Sequence, residues 1–89
     1  MITMFVRHTV SDYANWKKGY DAFDSTRKSL GVTAQASYQS PTDPKDVTVT
    51  HNFGTLEAAK TFAASPELKD AMHKAGVVGE PSIWYASQN

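Results

Sequence analysis

The chain has 89 residues, 40% hydrophobic and 20% charged, with nine basic side chains balanced by nine acidic ones. That composition belongs to a folded globule and not to a disordered chain. The zero formal charge leaves no basic excess for nucleic acid or an anionic membrane, and the lack of cysteine removes disulfides, thiolate catalysis and Cys-ligated metal centres.

A single domain over residues 1–89 is expected. It is small enough to bury only about 60% of the surface its unfolded chain exposes, so self-association is a natural way to cover more. The opening segment MITMFVRHTV lacks a basic stretch followed by a long apolar core. No apolar run approaches the roughly 20 residues needed to cross a bilayer, and a cytoplasmic location is the expectation.

Residues 2–10 alternate as a strand, with Met4, Val6 and His8 on one face. Ser11 and Asp12 can cap a helix on which Tyr13, Trp16, Tyr20, Phe23 and Arg27 share one side at spacings of three and four. Gly31 is suited to end it. Gly19 is a weak point inside it, costing about 1 kcal/mol against alanine, which a close backbone contact would explain.

A second strand is expected over 32–39, with Val32, Ala34, Ala36 and Tyr38 on one face. The cluster Ser40-Pro41-Thr42-Asp43-Pro44 is a turn. A third strand, 46–53, aligns Val47, Val49 and His51. Thr55 caps the next helical region, and Ser65-Pro66-Glu67 predicts that it breaks and restarts. Leu68, Met72 and Ala75 line its buried side, Gly76 ends it, and Gly79-Glu80-Pro81 turns the chain into a last strand, 82–87.

The order β-α-β-β-α-β predicts an α+β fold: a ferredoxin-like sandwich whose four-stranded antiparallel sheet carries both helices on one face. The other face would hold Thr3, Phe5, Arg7, Gln35, Ser37, Thr48, Thr50 and Asn52. This mixed surface can stay wet or pack on a second copy, and Phe5 favours a partner.

His8 and His51 are the chemical clue, since each ends the inward run of its strand and an imidazole titrates near neutral pH. The plain alternative is that both are satisfied polar residues at strand ends. The Trp16, Tyr20, Phe23 stripe is likewise what any packed amphipathic helix shows. His73, near the end of a helix, suits an exposed cation favoured by the helix dipole. A metal site from His8, His51 and Asp24 lacks a close ligand pair such as H-x-x-x-H, so no metal is expected.

Four segments carry a resemblance: Val6-Arg7-His8-Thr9-Val10-Ser11-Asp12-Tyr13 through Trp16, Tyr20-Asp21-Ala22-Phe23-Asp24, Asp43-Pro44-Lys45-Asp46-Val47, and Ser65-Pro66-Glu67-Leu68-Lys69 through Met72. Over nearly its whole length the chain resembles the dimeric α+β barrel superfamily, especially the small bacterial proteins grouped with antibiotic-biosynthesis monooxygenases or called cyclases. That group includes cofactor-independent oxygenases, haem-degrading enzymes, isomerases, polyketide cyclases and proteins without known activity.

The resemblance implies a homodimer whose sheets close into a barrel through their uncovered faces, and one pocket per subunit between sheet and helices. In such a pocket His8 and His51 would be the catalytic or orienting groups, Trp16, Tyr20, Phe23 and Asp24 would bind substrate, and Tyr38 with Trp84 or Tyr85 would close its ends. Haem-degrading members pair a helix histidine with an Asn and a Trp about ten residues earlier. Here Phe62-Ala63 stand in that region, so haem is not expected. The expected function is a cofactor-free monooxygenase, cyclase or isomerase acting on a small apolar or aromatic substrate. The alternatives are a non-catalytic ligand-binding or stress-associated homodimer, and an interaction module whose pocket is filled by its own side chains.

Overall fold

The computed structural model describes residues 1–88. Eight elements follow in chain order: β1 (Ile2–Val10), α1 (Tyr13–Ala22), α2 (Asp24–Ser29), β2 (Ala34–Gln39), β3 (Asp46–Phe53), α3 (Leu56–Ala63), α4 (Pro66–Lys74) and β4 (Val77–Ser87). The strands form one sheet in the order β2-β3-β1-β4, and every neighbouring pair is antiparallel. The predicted ferredoxin-like α+β arrangement is therefore the observed one.

Alternation decides which side of the sheet is core. Met4, Val6, His8 and Val10 are buried on β1 while Arg7 and Thr9 are exposed, and Val47, Val49, His51 and Phe53 are buried on β3. The helices close over this face through Trp16, Ala59, Phe62 and Leu68. Each longer helix starts on a side-chain cap. The Asn15 amide donates to Asp12 Oδ2 at 3.2 Å, Ala58 N to Thr55 Oγ1 at 3.1 Å, and Leu68 N to Ser65 Oγ at 3.3 Å. The restart predicted at Ser65-Pro66 is the junction between α3 and α4.

Three expectations are corrected. The first helical run is two helices, separated at Phe23. There the Tyr20 carbonyl accepts from Phe23 N at 3.3 Å and from Arg27 Nη2 at 2.6 Å. The Arg27 side chain thus occupies an acceptor that a continuous helix would give to the next backbone amide.

The second correction concerns β2. Val32 is buried but lies before the strand, and Ala34, Ala36 and Tyr38 pair with Asn52, Thr50 and Thr48 on the uncovered face. Gln35 and Ser37, expected on that face, instead pair with His51 and Val49 beneath the helices. Third, β4 begins at Val77, well before the turn expected to precede it. Its register against β1 slips between Arg7 and Thr9, where Gly79, Glu80 and Pro81 are accommodated beside His8.

Candidate functional site

A cleft lies between the sheet and the helices. Its floor is Val6 and Val49, which face each other in the β1–β3 ladder. His8 and His51 stand at opposite ends of that pair, because His8 is in register with Val47 and His51 with Met4. The two rows are four residues apart, which offsets the two histidines by roughly 13 Å along the strands. Trp16, Gly19 and Tyr20 from α1, Phe23, Arg27 from α2, and Leu68 and Met72 from α4 complete the wall.

One side of the cleft is a continuous run of rings. His8 meets Trp16 edge-on with centroids 5.6 Å apart, Trp16 stacks on Tyr20 at 4.9 Å, and the Arg27 guanidinium lies 4.0 Å from the centre of the Tyr20 ring. His51 closes the other side against Phe62, at 5.2 Å. The cleft is open on one side, and its interior volume is about 40 Å³. That holds roughly one water, whereas a benzene-sized guest needs on the order of 150 Å³.

Both imidazoles are dry. His8 is 6% exposed and His51 3%, and the Nδ1 atom of each has no hydrogen-bond partner. Burial lowers the pKa of His8 from the usual histidine value, against the opposing influence of its own backbone carbonyl and of Asp46. Burial, reinforced by the Arg27 charge, takes His51 down to about 4. At neutral pH His51 is therefore an uncharged imidazole, able to accept a proton or a hydrogen bond.

Arg27 is the buried charge of the site, at 2% exposure. Its Nε donates to Gln35 Oε1 at 2.9 Å and its Nη2 to the Tyr20 carbonyl. Gln35 in turn donates through Nε2 to Asp24 Oδ1. Asp24 stands 3.8 Å from the guanidinium, outside hydrogen-bond range, and is nearer Lys28 Nζ at 3.1 Å. Burial lowers the Arg27 pKa while Tyr20, Asp24 and Asp21 oppose the change; a guanidinium stays protonated.

The structure thus brings His8, His51, Trp16, Tyr20 and Phe23 to one cleft. It does not bring the other three expected residues there. Asp24 reaches the site only through Gln35. Tyr38 is 59% exposed on the uncovered face. Trp84 pairs with Phe5 and stacks on its ring at 5.3 Å, which also places it on the uncovered face. His73 is exposed in the last turn of α4.

Sequence reasoning missed Arg27 and Gln35 as site residues. The signal for Arg27 was present, since a charged residue occupied the buried spacing of an apolar stripe. Gln35 carried no such signal once β2 had been turned the wrong way. Among the described residues no group of three His, Asp or Glu side chains is placed to hold a metal ion, and no helix is long and apolar enough to cross a membrane.

No known family profile matches the chain, and no curated protein matches it in sequence. Solved structures do match it in shape. A protein from Bordetella bronchiseptica described as an antibiotic biosynthesis monooxygenase superposes with a TM-score of 0.86 at 14% identity, over 99% of this chain and 96% of that one. A second of that description, from Deinococcus radiodurans, gives 0.75 at 17% identity, over 100% and 93%. SnoaB from Streptomyces nogalater, a cofactor-independent oxygenase, gives 0.76 at 14% identity, over 99% and 94%. The chain has the fold of the antibiotic biosynthesis monooxygenases, in agreement with the resemblance seen in its sequence segments.

Proposed function

We propose that this protein is a cofactor-independent monooxygenase, cyclase or isomerase that acts on a small, largely apolar or aromatic molecule in the cleft between sheet and helices. One observation carries the reading: two buried imidazoles, each with an unpartnered Nδ1, flank an apolar floor under an aromatic wall. Unpaired buried polar atoms cost about 1–3 kcal/mol each. Natural cores rarely leave such atoms without a partner unless something else meets them.

A neutral imidazole can take the proton of a phenol or an activated carbon acid. The anion left behind is electron-rich and can react with dioxygen, tautomerise or close a ring. His8 and His51 supply the acid–base or orienting groups, and Trp16, Tyr20 and Phe23 shape the cavity. SnoaB, with the same fold, is a cofactor-independent oxygenase, which supports this class over a cofactor-bearing one. The working unit is a homodimer formed through the uncovered sheet face, where Phe5, Trp84 and Tyr38 present apolar area. The cysteine-free composition suits a reducing compartment, and we place the protein in the cytoplasm.

The small cavity favours a second reading, a homodimer that holds a small ligand without turning it over. Turnover of a quinol and anthrone panel, followed by oxygen uptake, separates the two. Under the first reading, His8→Gln and His51→Gln each lower the rate by about a hundredfold or more. Unchanged rates in both variants remove the histidines from the chemistry. A wild-type protein that binds panel members but consumes no oxygen is the ligand-holding homodimer.

A further inference from the structure

The two ends of the cleft are chemically unequal. Gln35 stands opposite His51 in the β2–β3 ladder, and its Oε1 accepts from Arg27 Nε at 2.9 Å. A permanent cation is thereby tethered one side chain away from the His51 ring. The tether is itself held, since Gln35 Nε2 donates to Asp24 Oδ1. The guanidinium is fixed on another side by the Tyr20 carbonyl and lies over the Tyr20 ring. A protonated His51 would face this cation. Both nitrogens of an imidazolium are donors, and His51 Nδ1 has no acceptor. Its packed neighbours Met4 on β1 and Phe62 on α3 are uncharged, and no carboxylate lines the cleft. Tyr20, which also lines it, is a phenol kept protonated by burial.

His8 stands four residues along the strands from the His51 row, away from the Arg27 tether. Trp16 on α1 meets its ring, Val47 on β3 is its ladder partner, and neither carries charge. The charged groups near it lie outside the cleft. Asp46, next to Val47, is paired with Arg7 on the uncovered face, and Glu80 is exposed in the irregular stretch of β4. Asp46 and the backbone carbonyl of His8 favour a proton on this ring, whereas the Arg27 charge acts on His51.

We propose that the two histidines divide the work: His8 takes the proton of the ligand, His51 serves only as a hydrogen-bonding group, and Arg27, tethered by Gln35, is the positioning residue that enforces the division. The proposal rests on the acid–base reading of the cleft and assigns its roles. The proton passes from the ligand to the His8 ring and returns from there. Arg27 acts through His51 and not on the ligand.

Long-range nitrogen–proton NMR spectra of the full chain, titrated from pH 8 down to 4.5, follow both rings. The expected result is that His8 takes up its proton at higher pH than His51. Arg27→Met should raise the His51 midpoint by roughly one pH unit and leave that of His8 in place. Arg27→Lys, which keeps the charge, should hold His51 low. A merely structural role for Arg27 would move both histidines together, and that result overturns the positioning assignment. If Arg27→Met does not fold, the order of titration in the wild type decides: His51 protonating at or above His8 overturns the proposal.

Oxygen uptake with the quinol and anthrone panel gives the second readout. The acid limb of the kcat/KM profile should follow the His8 midpoint, persist in His51→Gln at a lower rate and vanish in His8→Gln. A limb that vanishes in His51→Gln and persists in His8→Gln overturns the division of work. Absence of turnover across the panel counts against the acid–base reading itself, and the titrations still decide the action of Arg27 on His51.

Discussion

A Cβ added to Gly19 would stand 2.9 Å from the Cβ of Ala75. α1 and the C-terminal end of α4 therefore touch at a point where one of them has no side chain, and the helix-weakening glycine has a packing reason. Gly19→Ala gains about 1 kcal/mol of helix propensity. It also forces two methyl-bearing backbones apart, at a cost of about 1–3 kcal/mol. The expected outcome is net destabilisation of about 1 kcal/mol in urea unfolding. Combining it with Ala75→Gly removes the clash, so the pair should show favourable coupling in a double-mutant cycle. A simple sum of the two single effects would mean that the helices do not meet there.

Stability should fall as pH is lowered through the histidine range, and the sign follows from proton counting. The unfolded chain binds a proton on His51 near pH 6.5, whereas the folded chain does so only near 4. Between those values the unfolded state holds more protons, so stability rises with pH. His8, shifted in the same direction by burial, adds to the slope. From pH 7 to 4 the His51 share is about 3 kcal/mol, and below that it levels off because both states are protonated. Asp24 and Asp46, held below the usual carboxylate value by hydrogen bonds from Gln35 and Arg7 respectively, continue the loss at more acid pH. Denaturant titrations at half-unit pH steps should show this slope, and His51→Phe should flatten it between pH 6.5 and 4.

Regular alternation is why the site was partly legible. On β1 and β3 the inward set runs unbroken through Met4, Val6, His8 and through Val47, Val49, His51, and a period of two admits no other facing for the histidines. The same rule failed on β2 because of Arg27. A buried guanidinium needs a polar partner, so Gln35 faces the helices and the apolar residues Ala36 and Tyr38 face outward. Trp84 was misplaced for a different reason. Gly79, Glu80 and Pro81 sit within β4 where its pairing slips, and parity cannot be counted across an irregularity of unknown size. The break at Phe23 left no trace in the spacing, since that residue keeps right-handed helical torsions.

The uncovered face yields a prediction about assembly. Phe5 and Trp84 stack nearly parallel, with 3° between their planes, and Trp84 remains 44% exposed. Beside them Arg7 and Asp46 form a two-bonded ion pair, with Nε to Oδ1 at 3.0 Å and Nη2 to Oδ2 at 2.7 Å. An aromatic centre bordered by charge is the composition of a protein–protein contact. Sedimentation velocity should show a dimer at micromolar concentration. Trp84→Glu should weaken it by about thirtyfold or more, the penalty expected of an anchoring tryptophan, with the circular dichroism unchanged. A wild-type monomer under these conditions would remove the dimer from the proposed function.

Gln35 and Asp24 are joined in one chain of hydrogen bonds to Arg27, but they should not matter equally. Gln35→Met removes the acceptor at 2.9 Å from Arg27 Nε and leaves a buried charged donor without a partner. That should cost about 1–3 kcal/mol. Asp24→Asn keeps an acceptor for Gln35 and changes a side chain that is 41% exposed and already shared with Lys28. Its effect should stay within about half a kcal/mol, as for other exposed pairs. Thermal and urea unfolding of the two variants side by side checks the ranking. A larger loss from Asp24→Asn would mean that the carboxylate, and not the amide, is what compensates the buried guanidinium.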